Sequence, residues 1–421
     1  MYSYEQVLDK IENGRRFGNQ PGVELTAVML KQMGQPQKGL PFVHVAGTNG
    51  KGSVCAFLTS IFREAGWKVG TFTSPHLVDF EERILVNGVK IEKEDVTRLG
   101  NQLLNQDFGV TPTMFDYCVL MAVLYFKEQN CDVAVIETGL GGRLDSTNAL
   151  GVPEVSVITR IGYDHVNILG DTLQEIASEK AGIIKEKTPV VLSMQEPQAL
   201  QVLQKDAKKK QAECVCVEEA DVAYAEKLKP GLLGAYQREN AAAAVLAARI
   251  YEKKHPADET YTGQEWENVI ARGIHKAIWP GRMEIINRQP FLLADGAHNS
   301  NGIHALCASL KELYPGEKFH FIMGVMADKD YEKMIKELLP LATDFVTVTP
   351  ESSRALQGEA LAEDIRAKGI PAHAITEVAK IPSLLRKDEK TIALGSLYFI
   401  GELKAVYRTQ QAQENTDGTF I

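Results

Sequence analysis

Lys51 and Ser53 lie in the run Val43-His-Val-Ala-Gly-Thr-Asn-Gly-Lys-Gly-Ser53, interleaved with Gly47, Gly50 and Gly52. Glycines let a backbone turn tightly with its N–H groups facing inward. At the start of a helix such groups hold phosphate oxygens. On that reading Gly47, Thr48, Asn49, Gly50, Lys51, Gly52 and Ser53 form a cradle for ATP. Lys51 would neutralise β/γ-phosphate charge and the Ser53 hydroxyl would reach a Mg²⁺ ion. The spacing departs from G-x-x-x-x-G-K-[ST]: the first glycine is two residues closer to the Gly-Lys pair, and Gly52 separates Lys51 from Ser53. An ordinary glycine-rich turn is the alternative. The β-forming residues before the loop and the helical pattern from about Val54 to Ala65 favour the nucleotide.

Two more groups carry chemistry. Glu137 ends the apolar run Val133–Ile136 and precedes Gly139, Gly141 and Gly142. A carboxylate there lies at the carboxyl edge of a sheet, where it can serve Mg²⁺ directly or through water; it can also be a plain strand-end charge. The G-x-G-G that follows lacks the third glycine and helix start of a dinucleotide fingerprint. Thr172 and Glu175 make a capping box, so a helix begins near Leu173. Leu173, Ile176, Ala177, Lys180 and Ile184 then share one helical face. Lys180 in an apolar stripe is either a snorkelling edge residue or a desolvated, partly neutral amine. His165, on the loop before that helix, is a candidate metal ligand.

These groups need a frame to hold them. Short apolar runs at 42–45, 69–72, 133–136, 155–158 and 189–192 alternate with helical patterns, which predicts a largely parallel, doubly covered sheet. Asn87-Gly88 between apolar runs predicts a tight hairpin within 83–91. Asn240–Ile250 reads as a packed, Ala-rich helix. The pattern changes from about Thr260, and Trp279-Pro280-Gly281 marks a joint. A second alternating series follows at 291–294, 319–323, 345–348 and 391–394. The fold class is therefore α/β: a phosphate-loop ATPase domain over 1–280 and a smaller Rossmann-like domain over 281–421. The polar tail after about Tyr407 is expected to fray.

Composition narrows the function. The chain has 421 residues and a net charge of −9, which argues against nucleic-acid binding. Lys208-Lys209-Lys210 reads as solvated surface. No secretory pattern and no apolar run near ~20 residues is visible. Six scattered cysteines, with Cys214-Val-Cys216 the only close pair, suit buried thiols in a reducing cytoplasm.

Ten signatures in order, spread over essentially the whole chain, resemble the Mur-ligase-like ATP-dependent amide ligases, and among them the folylpolyglutamate and dihydrofolate synthases. They are Gly47–Ser53, Thr73-Ser-Pro-His-Leu77, Phe80-Glu-Glu-Arg83, Glu137–Asn148, Asp164-His165 with Leu169-Gly170, Ser178–Lys185, Trp279-Pro-Gly-Arg282, Asp295-Gly-Ala-His-Asn299, Gly324–Asp330 and Gly395-Ser-Leu-Tyr398. The resemblance implies that Ser74, Glu137 and His165 lie around Mg²⁺, and that Lys180 is the lysine this family carbamylates. It implies nucleotide contacts at Asn240, Arg282 and Asp295, with His298 close by as a third catalytic candidate beside Lys51 and Lys180. His76, Arg83, Thr113, Phe115, Asp116, Leu144, Asp145 and Ser146 match the folate-binding region, Phe115 being suited to stack on the pterin. The implied reaction joins L-glutamate to the γ-carboxylate of tetrahydrofolate, with dihydropteroate as a further candidate, through an acyl phosphate that leaves ADP and phosphate. A cytoplasmic monomer is expected. Two positions depart from the family: Tyr236 stands where His is usual, and Ser300 where Pro is common. A phosphate-loop switch protein and a cell-wall Mur ligase are the rivals. The second normally carries an extra N-terminal domain, for which a loop at residue 47 leaves no room.

Overall fold

The computed structural model describes residues 1–12, 22–109, 111–257 and 262–417, without the side chains of 411–417. The chain forms two compact units. One comprises 1–76, 80–231 and 237–278; the other comprises 77–79, 232–236 and 279–421.

The first unit is built on an eight-stranded sheet. Its strands are β1 (Phe42–Ala46), β2 (Val69–Phe72), β3 (Ile84–Val86), β4 (Val89–Lys90), β5 (Val133–Glu137), β6 (Val155–Ile158), β7 (Val190–Leu192) and β8 (Cys214–Cys216). The order is β4-β3-β2-β5-β1-β6-β7-β8. In that order the strands from β2 to β8 run parallel; β3 is antiparallel to β2, and β4 is antiparallel to β3. All residues of β1 and β5 are buried, as expected of strands covered on both faces. Helices supply the cover. Tyr4–Glu12, Gly22–Gln32, Lys93–Leu104 and Met114–Glu128 bury an aromatic-rich core that includes Phe72, Phe80 and Phe126, and a second core under β6 and β7 includes Ile176, Ala177 and Leu203. The phosphate-loop helix Lys51–Glu64 packs against Gly263–Lys276. Any Cβ on Gly273 would lie 2.4 Å from Ile61 Cα, so only glycine lets these helices approach.

The second unit holds β9 (Glu284–Arg288), β10 (Phe291–Asp295), β11 (Phe319–Met323), β12 (Ala342–Val348), β13 (Ala372–Ile375) and β14 (Lys390–Leu394). They are ordered β13-β12-β11-β14-β10-β9, parallel except for β9. Its own cores lie on the two faces of this sheet. Both units thus have the mostly parallel α/β architecture expected.

The expected hairpin forms at Asn87 and Gly88, with φ of 51° and 77°, the positive pair a tight two-residue turn demands. Other details differ from the sequence reading. The helix from Leu173 stops at Lys180 and continues as a single 3₁₀ turn, so Ile184 is buried but does not share that helical face. Strands β8, β9 and β13 were not expected; they lie at or next to sheet edges and bury little. The final helix runs unbroken from Leu397 to Asp417 instead of fraying at Tyr407. Of the six free thiols, Cys55, Cys118 and Cys307 are buried and the other three are partly exposed.

Candidate active site

The glycine loop closes over the carboxyl end of β1. Gly50, at φ 93°, is the helix N-cap, and a Cβ there would lie 2.3 Å from Asn240 Oδ1. Gly47, at φ 151°, lies so close to Thr159 that no side chain fits. Thr48 N and Asn49 N both donate to Arg160 O, and the Thr48 hydroxyl pairs with the backbone of Gly162. Those two amides brace the loop from the segment after β6. The N–H groups at the start of the helix, from Lys51 to Ser53, lack intrahelical acceptors and are the ones suited to phosphate oxygens.

Two lysines meet here. Lys51 Nζ donates to Gly47 O and Thr48 O at 3.2 and 3.3 Å and lies 3.9 Å from Glu137 Oε1. Glu137 is buried at the end of β5, and its Oε2 accepts from Ser74 N at 3.2 Å. Lys180 Nζ donates to Gly47 O at 2.8 Å from a buried position. Burial, reinforced by the charge of Lys51, pulls Lys180 down to about 7. The snorkelling alternative therefore fails for Lys180, because its amine points inward to the loop. Ser53 Oγ is buried without a hydrogen-bond partner. A buried, unpartnered hydroxyl on the loop whose lysine meets a buried carboxylate is a donor set that fits a divalent cation with its phosphate. His165 is exposed at the N-cap of Val166–Leu169 with φ 50°, its Nε2 4.0 Å from Asp164 Oδ1. Among the described residues, the only trio of His, Cys, Asp or Glu ligand atoms within reach of one another is His320, Asp344 and Glu389 in the second unit. Arg386 already bridges those two carboxylates.

The folate candidates form two groups. Arg83 Nε donates to His76 Nδ1 at 2.9 Å, and its guanidinium lies 5.9 Å from the Phe80 ring. In the other group the buried Asp116 carboxylate gathers Thr26 Oγ1, Ser146 Oγ, Thr113 N and Thr113 Oγ1 at 2.6–2.8 Å. Asp145 accepts from Leu140 N and from Thr147 N and Oγ1; burial raises its pKa against those donors. Both carboxylates are thus absorbed in shaping the loop. What they frame is apolar: the Phe115 and Phe72 rings have centroids 5.6 Å apart, Phe115 lies against Gly139, and Leu144 is 52% exposed. One supporting residue had no sequence signal. His44, inside β1, pairs through Nε2 with Thr147 Oγ1 at 2.8 Å, and burial holds it neutral at about 3. Another was detectable by i, i+3 spacing: Gln237 Oε1 accepts from Asn240 Nδ2, turning Asn240 Oδ1 toward Gly50.

In the second unit, Asp295 ends β10 and is buried. Burial raises its pKa, opposed first by the Arg282 guanidinium. Gly296 leaves room for Arg282 and Leu397, either of which a Cβ would strike at 2.2–2.3 Å. His298 Nδ1 pairs with Gly296 O at 2.7 Å.

Residues 45–248 match the Mur ligase middle domain, and residues 281–394 match the Mur ligase glutamate ligase domain. Fold and phosphate loop together are those of a Mur-type ligase, an ATP-dependent enzyme that forms amide bonds. The chain is 36% identical over 430 residues to a dihydrofolate synthase/folylpolyglutamate synthase of Bacillus subtilis (strain 168), covering 96% of this chain and 98% of that one. It is similar to the structure of E. coli FolC in complex with DHPP and ADP, with a TM-score of 0.84 and 28% identity over 97% of this chain and 99% of that one. It is also similar to Mycobacterium tuberculosis folylpolyglutamate synthase complexed with ADP, with a TM-score of 0.83 and 26% identity over 96% and 97%. The chain belongs to the dihydrofolate synthase/folylpolyglutamate synthase family.

Proposed function

We propose that this enzyme joins L-glutamate to the γ-carboxylate of tetrahydrofolate, building polyglutamates, and accepts dihydropteroate in the same site. The observation that carries the reading is the loop itself. Lys51 meets buried Glu137 at the carboxyl ends of the adjacent strands β1 and β5, and the same loop carries the buried, unpartnered Ser53 hydroxyl, in a chain alike along its length to enzymes named for these reactions.

A carboxylate and an amine do not condense in water, because hydroxide leaves poorly. The carboxylate oxygen attacks the γ-phosphorus of ATP and ADP departs, giving an acyl phosphate. The amino group of glutamate then adds to the acyl carbon, the tetrahedral intermediate expels phosphate, and the ammonium loses its proton. Charge neutralisation and alignment carry most of phosphoryl transfer. Lys51 and Arg282 supply positive charge to the phosphates, and Asn240 and Asp295 hold the nucleotide. His298 is assigned to the reacting end. Ser74, Glu137 and His165 are the residues that would hold Mg²⁺, which when bound neutralises phosphate charge. Phe115 and Leu144 receive the pterin, with His76, Arg83, Thr113 and Ser146 around it and Asp116 and Asp145 shaping its loop.

Lys180 is assigned a carbamate. A partly neutral amine adds CO₂ and releases a proton, leaving an anion suited to the metal site. Lys180→Arg keeps a cation but cannot form the carbamate, so it should lose activity. Normal turnover of that variant, or a plain ammonium in crystals grown with bicarbonate, Mg²⁺ and nucleotide, would overturn the assignment. Domains of 1–280 and 281–421, a monomeric state and a cytoplasmic location complete the proposal. Among the described residues no helix is long and apolar enough to cross a membrane.

The deciding experiment is a substrate panel with ATP, Mg²⁺ and glutamate. ADP and phosphate should appear only with tetrahydrofolate or dihydropteroate present, and the product should gain one glutamyl unit by mass. Release of AMP and pyrophosphate would refute the acyl phosphate. Turnover without any pterin would favour a switch protein or another ligase.

A further inference from the structure

We propose that Tyr236, the residue that departs from the family pattern, is a positioning residue that fixes the Asp295 carboxylate for the nucleotide through its hydroxyl. The inference rests on the nucleotide role proposed for Asp295.

A carboxylate offers about four acceptor positions, two on each oxygen. At Asp295, Oδ2 accepts from Tyr236 OH and from Met283 N, each at 2.9 Å, and Oδ1 accepts from Ala297 N at 2.8 Å. Oδ2 is therefore filled, and Oδ1 keeps a single position for a ligand. Two of the three donors are backbone groups, one leading into β9 and one in the turn after β10. Tyr236 supplies the remaining donor, the only one that a side chain provides among the described residues. Without its hydroxyl Oδ2 keeps only the Met283 N–H, so the carboxylate is held less tightly about χ2 and a second acceptor position opens beside the one meant for the ligand.

The tyrosine is held for this task. Gly234, at φ 110°, precedes it; a Cβ there would lie 2.7 Å from Met283 Sδ and 3.0 Å from Tyr236 Cε1. Ala235 N donates to Ser309 Oγ at 2.9 Å, which ties the segment to the helix Ser300–Leu313. The ring itself packs on the core of the second unit. Its hydroxyl is thus the tip of a clamped side chain, and Met283, with φ 45°, brings its own N–H to the same oxygen.

The test is steady-state kinetics on the full chain, with ATP and glutamate varied separately. Tyr236→Phe keeps the ring and removes only the donor. It should raise the KM for ATP about tenfold, the weight of one hydrogen bond to a charged group. The KM for glutamate and the melting temperature should hardly change. Ser309→Ala removes one tie of the same segment while leaving the hydroxyl in place and should raise the KM for ATP by clearly less than Tyr236→Phe does. On an Asp295→Asn background, Tyr236→Phe should add less than about twofold, because coupled residues are not additive. An unchanged KM for ATP in Tyr236→Phe would overturn the inference. So would an equal rise in both KM values, an equal effect of Ser309→Ala, or an undiminished effect on the Asp295→Asn background. If Asp295→Asn alone leaves the KM for ATP unchanged, the nucleotide role of Asp295 falls, and this inference with it. A strong Asp295→Asn effect beside a silent Tyr236→Phe would remove the inference alone.

Discussion

At the scale of single residues, the two lysines at Gly47 O do different work. Lys51 lies beside Glu137 and the loop carbonyls, where the proposed function has it meet phosphate. Lys51→Ala should keep the fold and lose on the order of 3 kcal/mol of transition-state stabilisation, a hundredfold or more in rate. Turnover within about threefold of the parent enzyme would refute the loop assignment. Lys180 is buried and drawn from 10.5 to about 7. A lysine whose pKa is lowered on folding binds its proton less well folded than unfolded. The cost is absent above about 10.5, grows as pH falls toward 7 and is constant below that. In bicarbonate-free buffer, Lys180→Met should therefore be more stable than the parent at pH 6, by on the order of a few kcal/mol. That advantage should shrink as pH rises toward 10. Urea denaturation at several pH values reads it, and a pH-independent difference would show that the amine is not desolvated.

At the scale of elements, the loop is set by steric exclusion. Gly50→Ala would carry a side chain in the left-handed region, at about 1–2 kcal/mol, and drive its Cβ into Asn240 Oδ1. The expected result is a higher KM for ATP and an earlier melt; an alanine variant with unchanged ATP kinetics would mean that Asn240 does not set the loop. Much of this architecture was legible beforehand. β1, β2, β5 and β6 are short apolar runs buried on both faces, and the Thr172–Glu175 capping box announced its helix. β8, β9 and β13 were not legible, because edge strands bury little and lack a continuous apolar run. Within the site, Lys180 was visible as a charge in an apolar stripe. Its partner was not, since Gly47 O lies 133 residues away. The roles of Asp116 and Asp145 were blurred for a similar reason: the family resemblance places these carboxylates near an expected substrate loop, but does not show that neighbouring hydroxyls and amides already occupy them.

At the scale of the whole molecule, each unit has its own sheet and its own cores, so denaturation should show more than one transition. Coincident loss of all probes in a single step would contradict this. Light scattering should give a mass near 46.4 kDa if the monomer proposal holds, and a doubled mass would end it. The Asp116 carboxylate has a consequence for motion. It takes hydrogen bonds from Thr26, Thr113 and Ser146, which belong to three segments far apart in the chain. A buried charge cannot lose one donor cheaply while keeping the others. The helix around Thr26, the cap at Thr113 and the turn at Ser146 should therefore open as one cooperative unit. In native-state hydrogen exchange their slow amides would share one opening free energy and one denaturant dependence. Asp116→Asn should split them into three independently exchanging pieces, and separate exchange in the parent protein would show that this carboxylate does not join them.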